Sequence, residues 1–185
     1  MAERVCPWWL GFWLASPLRK LMLNPRAVVQ PFVTSGMIVL EPGPGMGFFT
    51  LPLARLVAPG GRVVAVDIQQ KMLDGLKRRA RRAGLQEQVE PRLARPSGMG
   101  VESLQGKVDF ALVFAMVHEV PDAARFFREI AAALKPGGQL LFCEPAGHVT
   151  ESMFAESLRL AQEAGLSDIK RLSVHGNLGA ALTRH

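Results

Sequence analysis

Two groups of residues in this 185-residue chain have types and spacing fit for chemistry. The first is Glu41-Pro42-Gly43-Pro44-Gly45-Met46-Gly47, which follows the apolar run Met37-Ile38-Val39-Leu40. Glycines in a turn that leaves a strand let ligand atoms approach the backbone, since a side chain there would fill the ligand's volume. Twenty residues beyond Gly47, Asp67 closes a second apolar run, Val63-Val64-Ala65-Val66. A carboxylate at that point can accept both hydroxyl protons of a ribose. A dinucleotide fingerprint would need its third glycine at position 48, where this chain has Phe48 and places Gly47 before it.

The second group is His118-Glu119 and Cys143-Glu144 with His148, at the ends of two later apolar runs. An imidazole titrates near neutrality and can take a proton from an acceptor group, with Glu119 placed to assist or orient it. Packing or hydrogen bonding is the plainer role for His118. The set also contains metal-ligand types, but their spacing matches no compact ligand motif, so no metal is expected.

The elements that must position these groups follow from the rhythm of the chain. Short apolar runs alternate with amphipathic helical stretches, which predicts a parallel sheet covered by helices. Strands are expected at 37–40, 63–66, 89–94, 110–114 and 139–143, the fifth after the Lys135-Pro136-Gly137-Gly138 turn, with two short strands near 169–174 and 178–183 to finish a seven-stranded sheet. Helices are expected at 49–56, 69–83, 123–134 with Asp122 as cap, and 151–164 stopping at Gly165.

The spacing Gly-x-Gly-x-Gly behind an acid resembles the first motif of class I S-adenosylmethionine (SAM)-dependent methyltransferases, of the small, single-domain, bacterial type. The resemblance extends through Asp67, the Val108-Asp109-Phe110 to Pro121-Asp122 block and the Pro-Gly-Gly turn, in the family's order. It implies a Rossmann-like, doubly wound, mostly parallel sheet with helices on both faces, SAM as cofactor, and methyl transfer to a small-molecule acceptor. It also implies that Glu41 sits by the methionine amino group and that Gly43, Pro44, Gly45 and Gly47 line the methionyl and ribose path. Asp67 then takes the ribose, Ile68 packs on adenine, and Phe114 and Ala115 flank the sulfonium. One departure stands out: many relatives carry an Asp after the third strand, where this chain has Leu93-Ala94-Arg95-Pro96-Ser97. A backbone carbonyl can replace that contact.

Composition bounds the alternatives. The chain is 49% hydrophobic and 21% charged, a globular balance, with two cysteines, which fits a reducing cytoplasm. The net charge of +6 is concentrated in Lys77-Arg78-Arg79-Ala80-Arg81-Arg82, read first as a solvated helix face. A nucleic-acid methyltransferase is disfavoured, because no Asn-Pro-Pro-Tyr type motif follows the fourth strand, where Phe114-Ala115-Met116-Val117 stands. A SAM-binding module without turnover is the other alternative. Residues 1–31 read as a helical lid ahead of the domain of residues 32–185. Their Trp8, Trp9, Phe12 and Trp13 cluster beside Arg19-Lys20 suits packing on the core, closure over an apolar acceptor, or peripheral contact with a membrane.

Overall fold

The computed structural model describes residues 23–95 and 97–185, so the Trp8 to Trp13 cluster lies outside the described residues. The chain divides into two compact units, with the division at Gly100–Val101. The fold class is the expected one, a Rossmann-like, mostly parallel seven-stranded sheet with helices and one antiparallel hairpin.

In the first unit β1 (Ile38–Pro42), β2 (Arg62–Asp67) and β3 (Val89–Leu93) are parallel, with β2 in the middle. Val63, Val64, Ala65 and Val66 are all buried, as a strand covered on both faces requires. Short helix α1 (Pro25–Val29) precedes them, α2 (Thr50–Val57) joins β1 to β2, and α3 (Gln70–Arg82) joins β2 to β3. Helix α3 buries Met72, Leu73, Gly75, Leu76 and Ala80 and leaves Lys71, Lys77, Arg78, Arg81 and Arg82 exposed.

In the second unit β4 (Val108–Phe114) and β5 (Leu134–Glu144) are parallel, and β7 (Asn177–Arg184) lies antiparallel to β5 and to β6 (Leu166–Val174). Helix α4 (Ala123–Ala133) joins β4 to β5, and α5 (Glu151–Glu163) leads into β6. Asp122 caps α4 through Arg125 N, and Thr150 caps α5 through Met153 N.

A pillar of three rings ties these helices to the sheet. Phe142 of β5 meets Phe127 of α4 edge-on at 5.5 Å and stacks on Phe154 of α5 at 4.9 Å, and all three are fully buried. Each such pair adds about 0.5–1.5 kcal/mol beyond simple burial. Side chains two apart on a strand share a face, so Glu144 projects to the same side as Phe142, under the helices. That face is dry, and Glu144 must find partners there.

Two strands begin earlier than their apolar runs. The register of β4 on β5 steps from Val108↔Leu134 to Phe110↔Gln139, so the Lys135 to Gly138 turn is an excursion within β5. Similarly β6 starts at Leu166 and breaks register between Ser167 and Lys170, with Asp168 at φ 53°. No described helix is long and apolar enough to cross a membrane.

Candidate functional site

Within the first unit, β1 runs on through Glu41 and Pro42 before the chain turns. Gly43 N–H donates to Val66 O at 2.9 Å, which ties the start of the turn to β2, and Gly47 N–H donates to Pro44 O at 2.9 Å. Gly43, Gly45 and Gly47 all have positive φ (67°, 54° and 88°), the left-handed region that side chains disfavour.

The glycines do not share one reason. A Cβ built on Gly45 meets nothing within 4 Å, so the space beside it is open. A Cβ on Gly47 would stand 2.6 Å from Leu76 Cδ1, so Gly47 lets the turn close onto α3. Gly75 of α3 does the same from the other side, where its Cβ would meet Met46 Cγ at 3.0 Å. Arg79 donates to Met46 O and fixes the turn further.

Glu41 is 3% exposed, and its Oε2 is buried without a hydrogen-bond partner, as is Thr50 Oγ1. The Thr50 hydroxyl is close enough to favour the charged carboxylate, yet neither atom completes a hydrogen bond with good geometry. Burial dominates and pushes the Glu41 carboxyl up to about 8, with the Asp67 charge adding to the rise. Asp67 is 9% exposed, and its Oδ1 accepts Gln69 N–H at 2.8 Å, an arrangement that aims the carboxylate at the entry to α3. Beside it Ile68 is 60% exposed and Leu93 49%, two apolar side chains in water at the ends of β2 and β3.

Within the second unit, Phe114 ends β4 and Ala115 follows at φ 56°, with its N–H donating to Cys143 O at 2.8 Å. An alanine in the left-handed region costs about 1–3 kcal/mol, and such strain concentrates at functional sites. The chain then makes a 3₁₀ turn, Val117–Glu119, which presents His118.

Glu144 organises that turn. Its Oε1 accepts Val117 N–H at 2.7 Å and His118 N–H at 3.3 Å, and its Oε2 lies 2.7 Å from His118 Nδ1. Burial raises the Glu144 carboxyl, while the His118 ring and the two amides favour its charge. Glu119, the partner expected from its place in sequence, stands 3.9 Å from His118 Nε2, beyond hydrogen-bond reach. His148 lies edge-on to His118, with ring centroids 6.1 Å apart. Cys143 is a buried strand residue whose thiol is pushed up to about 12, chiefly by burial and then by Glu144, so it keeps its proton at neutral pH.

His118 and Glu144 line a cavity of about 410 Å³, within the range of small-molecule sites. Its far wall is α5, which contributes Ser152, Met153 and Ser157 with an apolar end at Leu160, and Val149 closes one side. Sequence reasoning missed this wall, because Met153 is 50% exposed and Ser152 and Glu156 are exposed too, all reading as the solvent side of an amphipathic helix.

Comparison with known proteins comes from three directions. A family model described as "Methyltransferase domain" matches residues 40–142, more than half of the chain. The chain is 32% identical over 108 residues, 58% of its length, to a demethylmenaquinone methyltransferase of Lactobacillus johnsonii, covering 43% of that protein. It is 30% identical over 131 residues, 69% of its length, to a ubiquinone biosynthesis O-methyltransferase of Methylocella silvestris, covering 47% of that one. The aligned part thus spans less than half of each relative. Among solved structures, a SAM-dependent methyltransferase from Aquifex aeolicus superposes with a TM-score of 0.86 at 22% identity, covering 98% of this chain and 100% of that one, which establishes the shared fold.

Proposed function

We propose, since this chain belongs to the methyltransferase domain family, that it transfers the methyl group of SAM to an acidic hydroxyl on a small, largely apolar acceptor. Ring hydroxyls of reduced quinones have that chemistry, in line with the quinone-related names of its relatives. Neither a SAM-binding module without turnover nor a nucleic-acid methyltransferase is favoured by this kinship. Residues 32–185 form the catalytic domain in this reading, and residues 1–31 an extension to it.

The residues of the first unit suit the donor. The partnerless oxygen of Glu41 calls for a hydrogen-bond donor that the described residues do not supply, and an amino group is one. Open space at Gly45 leaves room for ligand atoms, and the exposed side chain of Ile68 offers adenine an apolar surface. Gly43, Pro44 and Gly47 shape the turn, and Asp67 takes the ribose hydroxyls. Bound SAM supplies an electrophilic methyl, so the chain has to hold a nucleophile in line, exclude water and accept one proton.

The observation that carries the acceptor half is the His118–Glu144 pair on the wall of a cavity that also presents Ala123, Val149, Met153 and Leu160 as apolar lining. With its carboxylate charged, Glu144 accepts a hydrogen bond from Nδ1–H, which leaves Nε2 as the acceptor. The substrate hydroxyl gives its proton to Nε2 as its oxygen bonds to the methyl carbon, and the imidazolium that forms is held by Glu144. Glu144 is a positioning residue, and His118 the base. The test is transfer of labelled methyl from SAM to hydroquinones and catechols. His118→Asn should lower turnover by about 10²–10⁴-fold while SAM affinity, read by calorimetry, is unchanged. Full activity of that variant would refute the base assignment.

A further inference from the structure

Helix α3 carries five cationic side chains over its last six residues, and the chain engages one of them. Arg79 bonds to Met46 O, whereas Lys77, Arg78, Arg81 and Arg82 have no hydrogen bond or ion pair among the described residues. The nearby acids that act as partners are committed elsewhere: Glu90 pairs with Arg62 at 3.0 Å and Arg92 at 2.6 Å, and Asp74 accepts the Gln70 amide at 2.8 Å. Glu87, in the 3₁₀ turn that follows the helix, bonds to none of the four.

Lys77 and Arg81 are four residues apart and so share a face, where like charges repel each other. A helix C-terminus favours cations in its last turn, which accounts for Arg81 and Arg82. Lys77 lies further upstream, where that field has faded. Both Lys77 and Arg81 line a cleft of about 190 Å³ against β3, with Gln86 at its edge and Ala80, Val89 and Pro91 as its apolar floor. That is the space of roughly six waters at ~30 Å³ each.

We propose that this cleft binds a phosphate group, gripped between Lys77 and Arg81 with the Gln86 amide as a neutral donor. An anion seated there turns a repulsive pair into an attractive one, and charge-assisted bonds from lysine and arginine are the usual grip on phosphate. The apolar floor receives the carbon skeleton esterified to that phosphate. A single short cleft with one cation pair fits an isolated phosphate ester better than a nucleic-acid backbone, which needs a track of regularly spaced contacts. The site lies in the first unit, takes no part in the methyl transfer proposed above, and stands whether or not that reading does.

The test has two arms distinguishing the sources of such a group: calorimetric titration with inorganic phosphate at constant ionic strength, and cosedimentation with phosphatidylglycerol against phosphatidylcholine vesicles. Each is run on the full chain, on the Lys77→Gln/Arg81→Gln double variant, and on Arg55→Gln, which removes an exposed cation from α2. Binding in either arm that survives Arg55→Gln and weakens at least about tenfold in the double variant supports the proposal. Phosphate alone then points to a soluble ester, and phosphatidylglycerol to a lipid headgroup. Failure of both arms, equal binding by the double variant, or binding confined to a short RNA duplex run alongside overturns it.

Discussion

Replacing Glu41 with Gln isolates the most perturbed group in the described structure whose ionisation bears on ligand binding. A carboxyl whose folded value is raised holds its proton more tightly in the native state than in the unfolded one. Its contribution to stability is therefore full below the ordinary 4.5 and is lost as pH rises through about 8. Between those limits the native state carries about one more proton, and each pH unit costs roughly 1.4 kcal/mol. For a chain of this size that is a fall in Tm of about 3–6 °C per unit. Glutamine keeps the shape of the neutral acid and cannot ionise, so the variant should lack this slope. The assay is Tm against pH from 5 to 8 for both proteins, with the difference curve removing every other titrating group. A second readout is linked to it: seating an ammonium group against ionised Glu41 should release close to one proton at pH 6.5, visible as a buffer-dependent enthalpy of SAM binding, with affinity rising towards pH 8. Parallel Tm curves for the two proteins would refute the reasoning, because Glu41 would then not titrate in this window.

The remaining expectations concern single side chains. Asp67→Ala should weaken SAM binding at least about tenfold in a calorimetric titration through the loss of buried hydrogen bonds to the ligand. Gly47→Ala should destabilise by about 1–3 kcal/mol in urea unfolding, since the methyl meets Leu76 and the backbone is left-handed, whereas Gly45→Ala should cost less stability and lose more SAM affinity, its methyl entering open space. Glu144→Gln should lower kcat by about tenfold or more and displace its pH profile, with Glu144→Asp restoring part of the activity; a purely structural role would leave the profile unmoved.

Much of the fold was legible because the central strands of this architecture are announced by apolar runs and the longer helices by their period. Such runs mark β1, β2, β4 and the second half of β5, whereas β3, β6 and β7 mix apolar and polar residues. The largest errors are at the starts of β5 and β6, where pairing across the sheet carries strand geometry through residues that look like turns. Lys135 to Gly138 reads as a boundary in sequence because prolines and glycines usually end elements, yet the neighbouring strand sets the boundary at Leu134. The glycine turn was legible, but packing adds a reason that the sequence does not show. Gly47 is required by Leu76, 29 positions away in sequence, and no local pattern distinguishes that need from ligand clearance.

The acceptor side shows where local reading fails and what replaces it. Adjacency in sequence made Glu119 the natural partner of His118, and it stands 3.9 Å from Nε2, while strand pairing brings Glu144 from 26 residues away to 2.7 Å from Nδ1. The signal was present in the alternation of β5. Phe142 belongs to the core, Glu144 lies two residues on and shares its face, and a carboxylate on a dry face requires partners from whichever loop ends the adjacent strand. Since β4 is that strand, the loop is the one holding His118. The same logic explains why α5 forms the far wall: Phe154 must stack on Phe142, and anchoring that ring sets Ser152, Met153 and Ser157 over the end of β5. The aromatic pillar thus fixes the width of the cavity as well as the stability of the unit. Phe154→Leu should therefore raise KM for the acceptor more than it lowers kcat, and an unchanged KM would show that the cavity does not depend on the stack.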